Sequence, residues 1–348
     1  MNTVIFKVKN NSLEKEDLDN ICEIIKSSGV VAFPTETVYG LGANALDVEA
    51  VKGIFKAKGR PSDNPLIVHI SNLEMLDELV EEVGDAAKKL MDAFWPGPIT
   101  FILKKKKEVS ETVTAGLQTI AIRFPSDKIA RDIIEYCGKP IAAPSANLSG
   151  KPSPTNGEHV IRDLTGRVEA IVVGEDAVIG LESTVVDLTG KYPMILRPGG
   201  ISKEELEKVI GQVQIDKALN SEYSEDNKPK SPGMKYTHYA PKAEARLATG
   251  TREEQVIKIK ELLNDLRSSG HSVGVLTVDE NVEKYACDNI ISLGSINNMD
   301  EIASNLFKAL REFDDTSVEY ILCESFENVG IGLAIMNRLK KACGYRIF

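Results

Sequence analysis

The sequence is poor in the residues that build metal sites and disulfide frameworks. Only 4 histidines occur in 348 residues, and none is spaced as a ligand pair with another histidine or a cysteine. The 5 cysteines are scattered, odd in number and without a C-x-x-C pair. We therefore predict reduced thiols, no disulfide frame and no metal site built from protein side chains.

Long apolar runs and an excess of positive charge are also missing. No segment approaches the roughly 18–20 apolar residues of a membrane span. The first ten residues, MNTVIFKVKN, lack the apolar core of a secretion signal. With a net charge of −10, the chain cannot bind nucleic acid through its bulk charge. We predict a cytoplasmic protein without membrane contact, in which a local cluster of cations binds any anion.

Strand-like and helix-like segments alternate along most of the chain, which predicts an α/β (mixed α+β) fold. Back-to-back strands near 170–197 indicate antiparallel pairing. We predict a domain over residues 1–212 with a twisted mixed sheet and flanking helices, and a linker over 213–243. A smaller three-layer, Rossmann-like domain with a parallel sheet is predicted over 244–348.

The stretch PTETVYGLGANA (34–45) follows a buried strand and is rich in hydroxyls and glycines. It lacks the G-x-x-x-x-G-K-[ST] pattern of a phosphate-binding P-loop. Hydroxyls such as Thr37 both donate and accept hydrogen bonds. The stretch is therefore a pocket wall for a small polar molecule or a tight turn, in which Gly40 and Gly42 let the chain reverse.

The stretch FKAKGRPSDNPLIVH (55–69) places Lys56, Lys58 and Arg60 at the end of a helix. Converging Lys and Arg suit a triphosphate, and the amide of Asn64 adds hydrogen bonds. A single histidine in a strand is more often a core residue than a catalyst, so His69 is only a candidate for a pocket wall.

Arg123 lies in the apolar strand TIAIRF, where a guanidinium needs an anionic partner. That partner is either a local carboxylate, Glu182 or Asp187, or the carboxylate of a substrate. A strand arginine that faces a cleft can grip a carboxylate with two parallel hydrogen bonds.

The loop APSANLSGKPSPT (143–155) offers hydroxyls and backbone N–H groups without adding charge, and Arg197 ends a later strand before a glycine pair. No covalent nucleophile is evident. The combination favours phosphoryl or nucleotidyl transfer by positioning and electrostatic stabilisation, with any Mg²⁺ held mainly by the phosphates of the substrate.

The linker ends in SPGMKYTHYAP (231–241), a segment dense in aromatic residues and histidine. It is either a linker end that packs on a domain or a lid over a site. Near the C-terminus, VGIGLA contains a single G-x-G, which is a weak dinucleotide motif and more often lets a helix pack closely on a strand.

Seven motifs in order resemble the YrdC-like family of L-threonylcarbamoyladenylate synthases: PTETVYGLGANA, KAKGRPSDNPLIVH, WPGPITFIL, AIRFP, PSANLSGKPSPT, STVVD and LRPGGIS. The resemblance continues through SPGMKYTHYAP and is to the two-domain form. It implies that L-threonine, bicarbonate and ATP give threonylcarbamoyl-AMP and pyrophosphate. The product would feed threonylcarbamoyladenosine modification of tRNA through downstream transfer proteins, and the resemblance also allows contact with tRNA.

The resemblance also implies residue roles. The catalytic group would be Lys58, Arg60, Ser145 and Asn147. The threonine pocket would be formed by Thr37, His69, Arg123, Ala143 and Ser183. The ATP site would be formed by Lys56, Arg60, Asn64, Thr119, Ser145, Ser153, Arg197 and Tyr236, with Tyr236 closing over the nucleotide.

Two rival functions remain at this stage. One is a binding module for double-stranded RNA or tRNA without catalysis, and the other is a different acyl-adenylate transferase with the same fold. Glu36 is the only carboxylate near the first motif, and we expect bicarbonate or water, rather than Glu36, to accept the proton of the threonine amine.

Overall fold

A computed structural model describes residues 1–220 and 239–348 of the chain, which divide into two compact units. Within these ranges, the first unit comprises 1–149, 153–178 and 182–220, and the second comprises 150–152, 179–181 and 239–348. Each unit has its own sheet.

Eleven strands of the described chain form the mixed sheet of the first unit, in the order β1-β8-β2-β3-β7-β4-β6-β5-β9-β10-β11. Parallel pairs such as β4 with β6 alternate with antiparallel pairs such as β5 with β6, which confirms the predicted mixed sheet. The strands are β1 (Val4–Lys7), β2 (Val31–Phe33), β3 (Gly40–Asn44), β4 (Ile67–His69), β5 (Ile99–Lys104), β6 (Thr119–Arg123), β7 (Ile141–Ala142), β8 (Ala170–Val173), β9 (Thr184–Asp187), β10 (Met194–Arg197) and β11 (Gln214–Ile215).

Six of the eight helices described for the first unit begin at a side chain that accepts a hydrogen bond from a backbone N–H of the first turn. Asp47 caps α2 through Glu49 and Ala50, and Asp127 caps α6 through Ala130. The helices are α1 (Lys15–Lys26), α2 (Val48–Lys58), α3 (Leu73–Leu79), α4 (Asp85–Phe94), α5 (Glu111–Thr114), α6 (Lys128–Cys137), α7 (Gly157–Leu164) and α8 (Lys203–Ile210), followed by a 3-10 turn (Lys217–Asn220).

The second half of PTETVYGLGANA is a strand and not a loop, which corrects the interpretation of its glycines. Strand β3 pairs antiparallel with β2, so Gly40 and Gly42 lie within a ladder. A Cβ on Gly42 would lie 2.4 Å from Phe33 Cε1 and 2.6 Å from Ile141 Cγ2. Gly42 is therefore needed for close packing across the sheet, and the turn itself lies over residues 34–39.

The two faces of the central strands pack into two different apolar clusters. Side chains alternate between the faces of a strand, so residues two apart share a face. Ile120 and Ile122 of β6 face the main core, whereas Ala121 joins a small second cluster. That cluster, which we call the floor patch, consists of Ile67, Ile102, Ala121, Val185 and Leu196.

The second unit has a four-stranded sheet in the order β12-β15-β13-β14. All three of its strand pairs are parallel, as predicted for this part of the chain. Its elements are β12 (Glu244–Leu247), α9 (Arg252–Ser268), β13 (Val273–Thr277), a 3-10 helix (Asp279–Lys284), β14 (Asn289–Ser292), α10 (Met299–Phe313), β15 (Tyr320–Cys323) and α11 (Gly332–Ala342). Across both described ranges, no helix has the length and apolar character needed to cross a membrane.

Replacing Gly42 with alanine should destabilise the first unit, because the new methyl group would overlap Phe33 and Ile141. We expect the free energy of unfolding to fall by about 2–3 kcal/mol, a typical cost of overpacking a core. Urea unfolding followed by fluorescence measures this, since Trp95 is the only tryptophan and lies in the first unit.

Gly40→Ala is the matched control, because a Cβ there would lie 3.4 Å from its nearest neighbour, Ala143 Cβ. Equal loss of stability in the two variants would contradict this account of Gly42.

Candidate active site

A buried guanidinium lies at the centre of the site. Arg123, at the end of β6, is 4% exposed. Its NH1 donates to Thr37 Oγ1 at 2.7 Å, and its NH2 lies 2.8 Å from Glu36 Oε1. Nε is buried without a hydrogen-bond partner among the described residues, so this edge of the guanidinium retains a donor for a further acceptor.

The local partner of Arg123 is Glu36, and the expectation of Glu182 or Asp187 is wrong. Glu182 accepts instead from Ser153 Oγ at 2.6 Å, and Asp187 accepts from Thr189. The two residues are far apart in the sequence, so the pairing could not be read from it. Glu36 follows β2 and Arg123 ends β6, and the order of the strands in the sheet brings them together.

Glu36 is fixed by backbone donors as well as by Arg123. Its carboxylate accepts from Ser126 N at 3.1 Å and from Asp127 N at 3.4 Å, just before α6. Burial alone would raise the pKa of Glu36, but the charge and hydrogen bond of Arg123 together with these N–H groups lower it below its usual value. Glu36 is therefore an ionised positioning group and a poor proton acceptor.

His69 is the register neighbour of Arg123 on the parallel strand β4, and the two side chains share the face of the floor patch. Complete burial, followed by the nearby positive charge of Arg123, lowers the pKa of His69 to about 3. Its Nδ1 is buried and has no hydrogen-bond partner. His69 is thus a neutral imidazole with an open nitrogen, positioned in the wall of the site.

A second arginine, Arg197, lies on the same face of the sheet as Arg123. It contacts Ser183, which in turn contacts Thr100. Thr100 is the register neighbour of Arg123 on β5, and its hydroxyl lies 2.7 Å from Ser183 Oγ. Arg197 donates to Ser183 O and to Ser183 Oγ, both at 3.1 Å. A register shift between Ile195 and Arg197 in β10 places Arg197 opposite Val185, a floor-patch residue.

Lys58 contacts the loop that carries Ser145 and Asn147. Lys58 is buried, and its Nζ donates to the backbone oxygens of Ser145 and Asn147. Ser145 Oγ donates to Asn147 Oδ1 at 2.5 Å. The ammonium therefore holds the 145–147 loop in shape, and Arg60 lies half-buried two residues later.

Backbone hydrogen bonds tie this loop to the first motif. Leu41 N donates to Pro144 O, Ala146 N to Tyr39 O and Tyr39 N to Pro154 O. Ala143, predicted for the threonine pocket, is buried, and its N–H donates to Ile67 O of β4. The turn that carries Thr37 is therefore fixed against both ends of the segment 143–155.

Two predicted ATP residues lie at the opposite end of the same strands. Thr119 begins β6, four residues before Arg123, which corresponds to about 13 Å along a strand. Asn64 precedes β4 and is fully buried, yet neither atom of its side-chain amide has a hydrogen-bond partner. An unsatisfied buried amide costs about 1–3 kcal/mol, so this amide keeps a donor and an acceptor that the described residues do not use.

Other predicted residues are less closely associated with the site. The side chain of Lys56 is exposed and makes no hydrogen bond or ion pair within the described residues. Positions two apart on a helix point to opposite sides, so Lys56 faces away from the buried Lys58. Tyr236 lies outside the described residues.

Sequence reasoning missed Thr100 and Thr114 altogether. Thr100 is the one hydroxyl in the strand ITFILK, and this break in an apolar run is the only indication of it in the sequence. Thr114, at the end of α5, has a buried hydroxyl without a partner. Leu66 N donates to Val113 O, which places the end of α5 beside the segment that follows Asn64.

The lowered pKa of His69 predicts that its imidazole stays neutral well below the usual histidine range. Histidine-selective NMR of the full chain should show that the signal of His69 does not titrate between pH 7.5 and 5. His69→Gln should remove that signal and leave the other three. A signal assigned to His69 with a midpoint near the usual value of about 6.5 would contradict the burial account.

Two family models together match most of the chain. The Sua5/YciO/YrdC family, described as "Telomere recombination", matches residues 23–199. The model described as "Threonylcarbamoyl-AMP synthase, C-terminal domain" matches residues 201–344.

Relatives match over nearly the whole chain. A threonylcarbamoyl-AMP synthase of Pyrococcus abyssi is 49% identical over 345 residues, which cover 99% of each chain. One of Bacillus subtilis is 50% identical over 93% of this chain and 92% of its own. The crystal structure of P. abyssi Sua5 complexed with L-threonine superimposes with a TM-score of 0.94 at 48% identity, covering 99% of both chains. The chain therefore belongs to the threonylcarbamoyl-AMP synthase family, and it carries both domains of that family.

Proposed function

We propose that the chain condenses L-threonine, bicarbonate and ATP to threonylcarbamoyl-AMP, pyrophosphate and water, for threonylcarbamoyladenosine modification of tRNA. The threonine nitrogen bonds to the bicarbonate carbon, and the oxygen that is displaced leaves as water. The observation that carries this proposal is the unsatisfied edge of the buried Arg123, next to Thr37 and neutral His69. A buried guanidinium edge of this kind fits a carboxylate, and threonine supplies one.

Threonine binds on the floor patch in this proposal. Its carboxylate accepts from Nε of Arg123, while Glu36 and Thr37 hold the guanidinium in place. Its side-chain hydroxyl and amine meet His69 Nδ1 and the hydroxyl of Ser183, both of which lie around Arg123. Ala143, a small buried residue, leaves room for the threonine methyl group.

ATP lies along the same face, towards the amino ends of β4 and β6. Asn64 and Thr119 are proposed to hold its nucleoside part, because the Asn64 amide lacks partners in the protein. Arg60, Ser145, Ser153 and Arg197 surround the phosphates. Lys56, although exposed, is close enough in the chain to contribute charge at the pyrophosphate end.

The adenylation step needs charge neutralisation and positioning more than a nucleophile from the protein. The carbamate oxygen attacks the α-phosphorus, and the bond to pyrophosphate breaks. Arg60 and Lys58 lower the energy of the charge that develops there. Ser145 and Asn147, held by Lys58, keep the loop that faces the phosphates rigid.

We place Mg²⁺, when bound, mainly on the ATP phosphates, where it would neutralise charge. Among the described residues, no group of three or more His, Cys, Asp or Glu side chains could hold a metal ion. This donor set suits a metal that arrives with the nucleotide better than a resident one.

The proton released by the threonine amine goes to bicarbonate or water. Glu36 is paired with Arg123 and its pKa is lowered, and the pKa of His69 is about 3, so neither is suited to accept it. Catalysis in this proposal comes from binding the three substrates in one dry, preorganised pocket.

The remaining assignments extend this proposal beyond the site. The catalytic domain is residues 1–212, the linker is 213–243 with Tyr236 as a lid over ATP, and 244–348 is the C-terminal domain. The protein works in the cytoplasm and passes its product to tRNA-modifying transfer proteins.

Pyrophosphate release by the full chain tests this function. We expect release from ATP only when L-threonine and bicarbonate are both present, and a product with the mass of threonylcarbamoyl-AMP. Replacement of threonine by serine measures substrate choice. ATP turnover that ignores threonine would overturn the proposal.

Two conservative arginine variants separate the two halves of the pocket. Arg123→Lys keeps the charge but loses the planar fork, so the KM for threonine should rise about 10-fold or more while the KM for ATP changes little. Arg60→Lys should show the opposite pattern. Equal effects on both KM values in both variants would show that Arg123 does not act mainly on threonine and that Arg60 does not act mainly on ATP.

A further inference from the structure

The second unit contains a buried carboxylate at the edge of its sheet where ligands bind in open α/β folds. Strands β13 and β15 are adjacent and parallel, with Thr277 ending the first and Glu324 following the second. From β13 the chain goes to the neighbouring β14, whereas from β15 it enters α11, which contacts β12 on the other side. Such a divergence leaves a crevice at the carboxyl ends of the strands.

One oxygen of Glu324 is fully used by the protein. Glu324 is 2% exposed, and its Oε1 accepts from Thr277 Oγ1 at 2.7 Å, Asn281 Nδ2 at 2.9 Å and Tyr285 OH at 2.6 Å. Burial and then the hydrogen bond to Glu324 raise the pKa of Tyr285 well above its usual value, so the phenol remains a neutral donor. All three donors are therefore uncharged.

The other oxygen, Oε2, is buried and has no hydrogen-bond partner among the described residues. Within residues 1–220 and 239–348, no basic side chain forms an ion pair with Glu324. Buried carboxylates are normally paired with a cation or fully hydrogen-bonded, since an unmet acceptor costs free energy. Glu324 thus has an open acceptor and lacks a counter-charge.

The surroundings favour a cation over an anion. Asp279, Glu280 and Glu327 are exposed on the loops that follow β13 and β15. Lys284 is already engaged, because its Nζ donates to Asn281 Oδ1 at 2.6 Å. Acidic groups on these loops raise the local concentration of cations.

We propose that the second unit carries a binding site for a small organic cation with a primary ammonium group, which donates to Glu324 Oε2. A single ammonium supplies both the missing donor and the missing positive charge. Divalent metal ions need about six oxygen ligands, and the described residues contain no acidic, histidine or cysteine group suited to a metal. The site uses none of the residues assigned to adenylation and does not depend on the proposed reaction.

Hydrogen–deuterium exchange of the full chain can test this site with methylammonium chloride as the probe. Tetramethylammonium chloride is the matched control, since it has the same charge but no N–H donor, and sodium chloride keeps the ionic strength constant. We expect methylammonium alone to slow exchange, saturably, in peptides that span 273–285 and 320–334.

Two variants give the matched comparison. Glu324→Gln can keep an oxygen for the three donors but replaces Oε2 with an amide N–H, so half-saturation should need about 10-fold more methylammonium or disappear. Glu327→Gln removes the same charge from the exposed rim and should change half-saturation by no more than about twofold.

Three results would overturn the proposal. Equal slowing by tetramethylammonium would mean that only the acidic rim attracts cations. Equal slowing by potassium chloride would mean a metal-ion site. No slowing in the wild type would mean that Oε2 is satisfied by water alone. Because these comparisons use the wild-type chain, they hold even where Glu324→Gln fails to fold.

Discussion

Burial of the Arg123 guanidinium is the constraint on which the first unit depends. A charge at 4% exposure must be compensated, and Glu36 provides the opposite charge at 2.8 Å. Because Glu36 also accepts from the N–H groups that precede α6, the pair joins the β2–β3 turn, the end of β6 and the start of a helix. Loss of either partner would leave a buried charge uncompensated and would loosen all three.

The two faces of the sheet differ, since one packs into the main core and the other carries the polar cluster around Arg123. On one face, residues such as Ile120 and Ile122 pack into the main core, and on the other the floor patch is small and is surrounded by Arg123, His69 and Thr100. Alternation along a strand allows this division without long loops. The register shift in β10 has a similar effect. One extra residue in the strand places the Arg197 side chain opposite Val185, on the face of the floor patch.

Polar groups in this protein are of two kinds. Lys58 is surrounded by the oxygens of the 145–147 loop and acts as a structural clamp. Asn64, His69 and Glu324 instead keep buried atoms without partners, although each such atom costs stability. In the proposals above, a ligand satisfies these atoms, whereas an exposed charge such as Lys56 is already satisfied by solvent.

The sequence by itself determined the element types, the mixed sheet of the first unit, the parallel sheet of the second, and the family to which the chain belongs. Hydrophobic periodicity and helix caps are local signals, so they can be read from the sequence. Seven motifs in the same order as in a known family rarely occur together by chance. The sequence did not show that Glu36 pairs with Arg123, that Gly42 lies in a strand packed against Phe33, or that Thr100 joins Ser183. Those facts depend on strand order and register, which bring together residues as far as 87 positions apart, and no local pattern encodes them. Only the tertiary structure decided which charges are paired and which polar atoms remain open for a ligand.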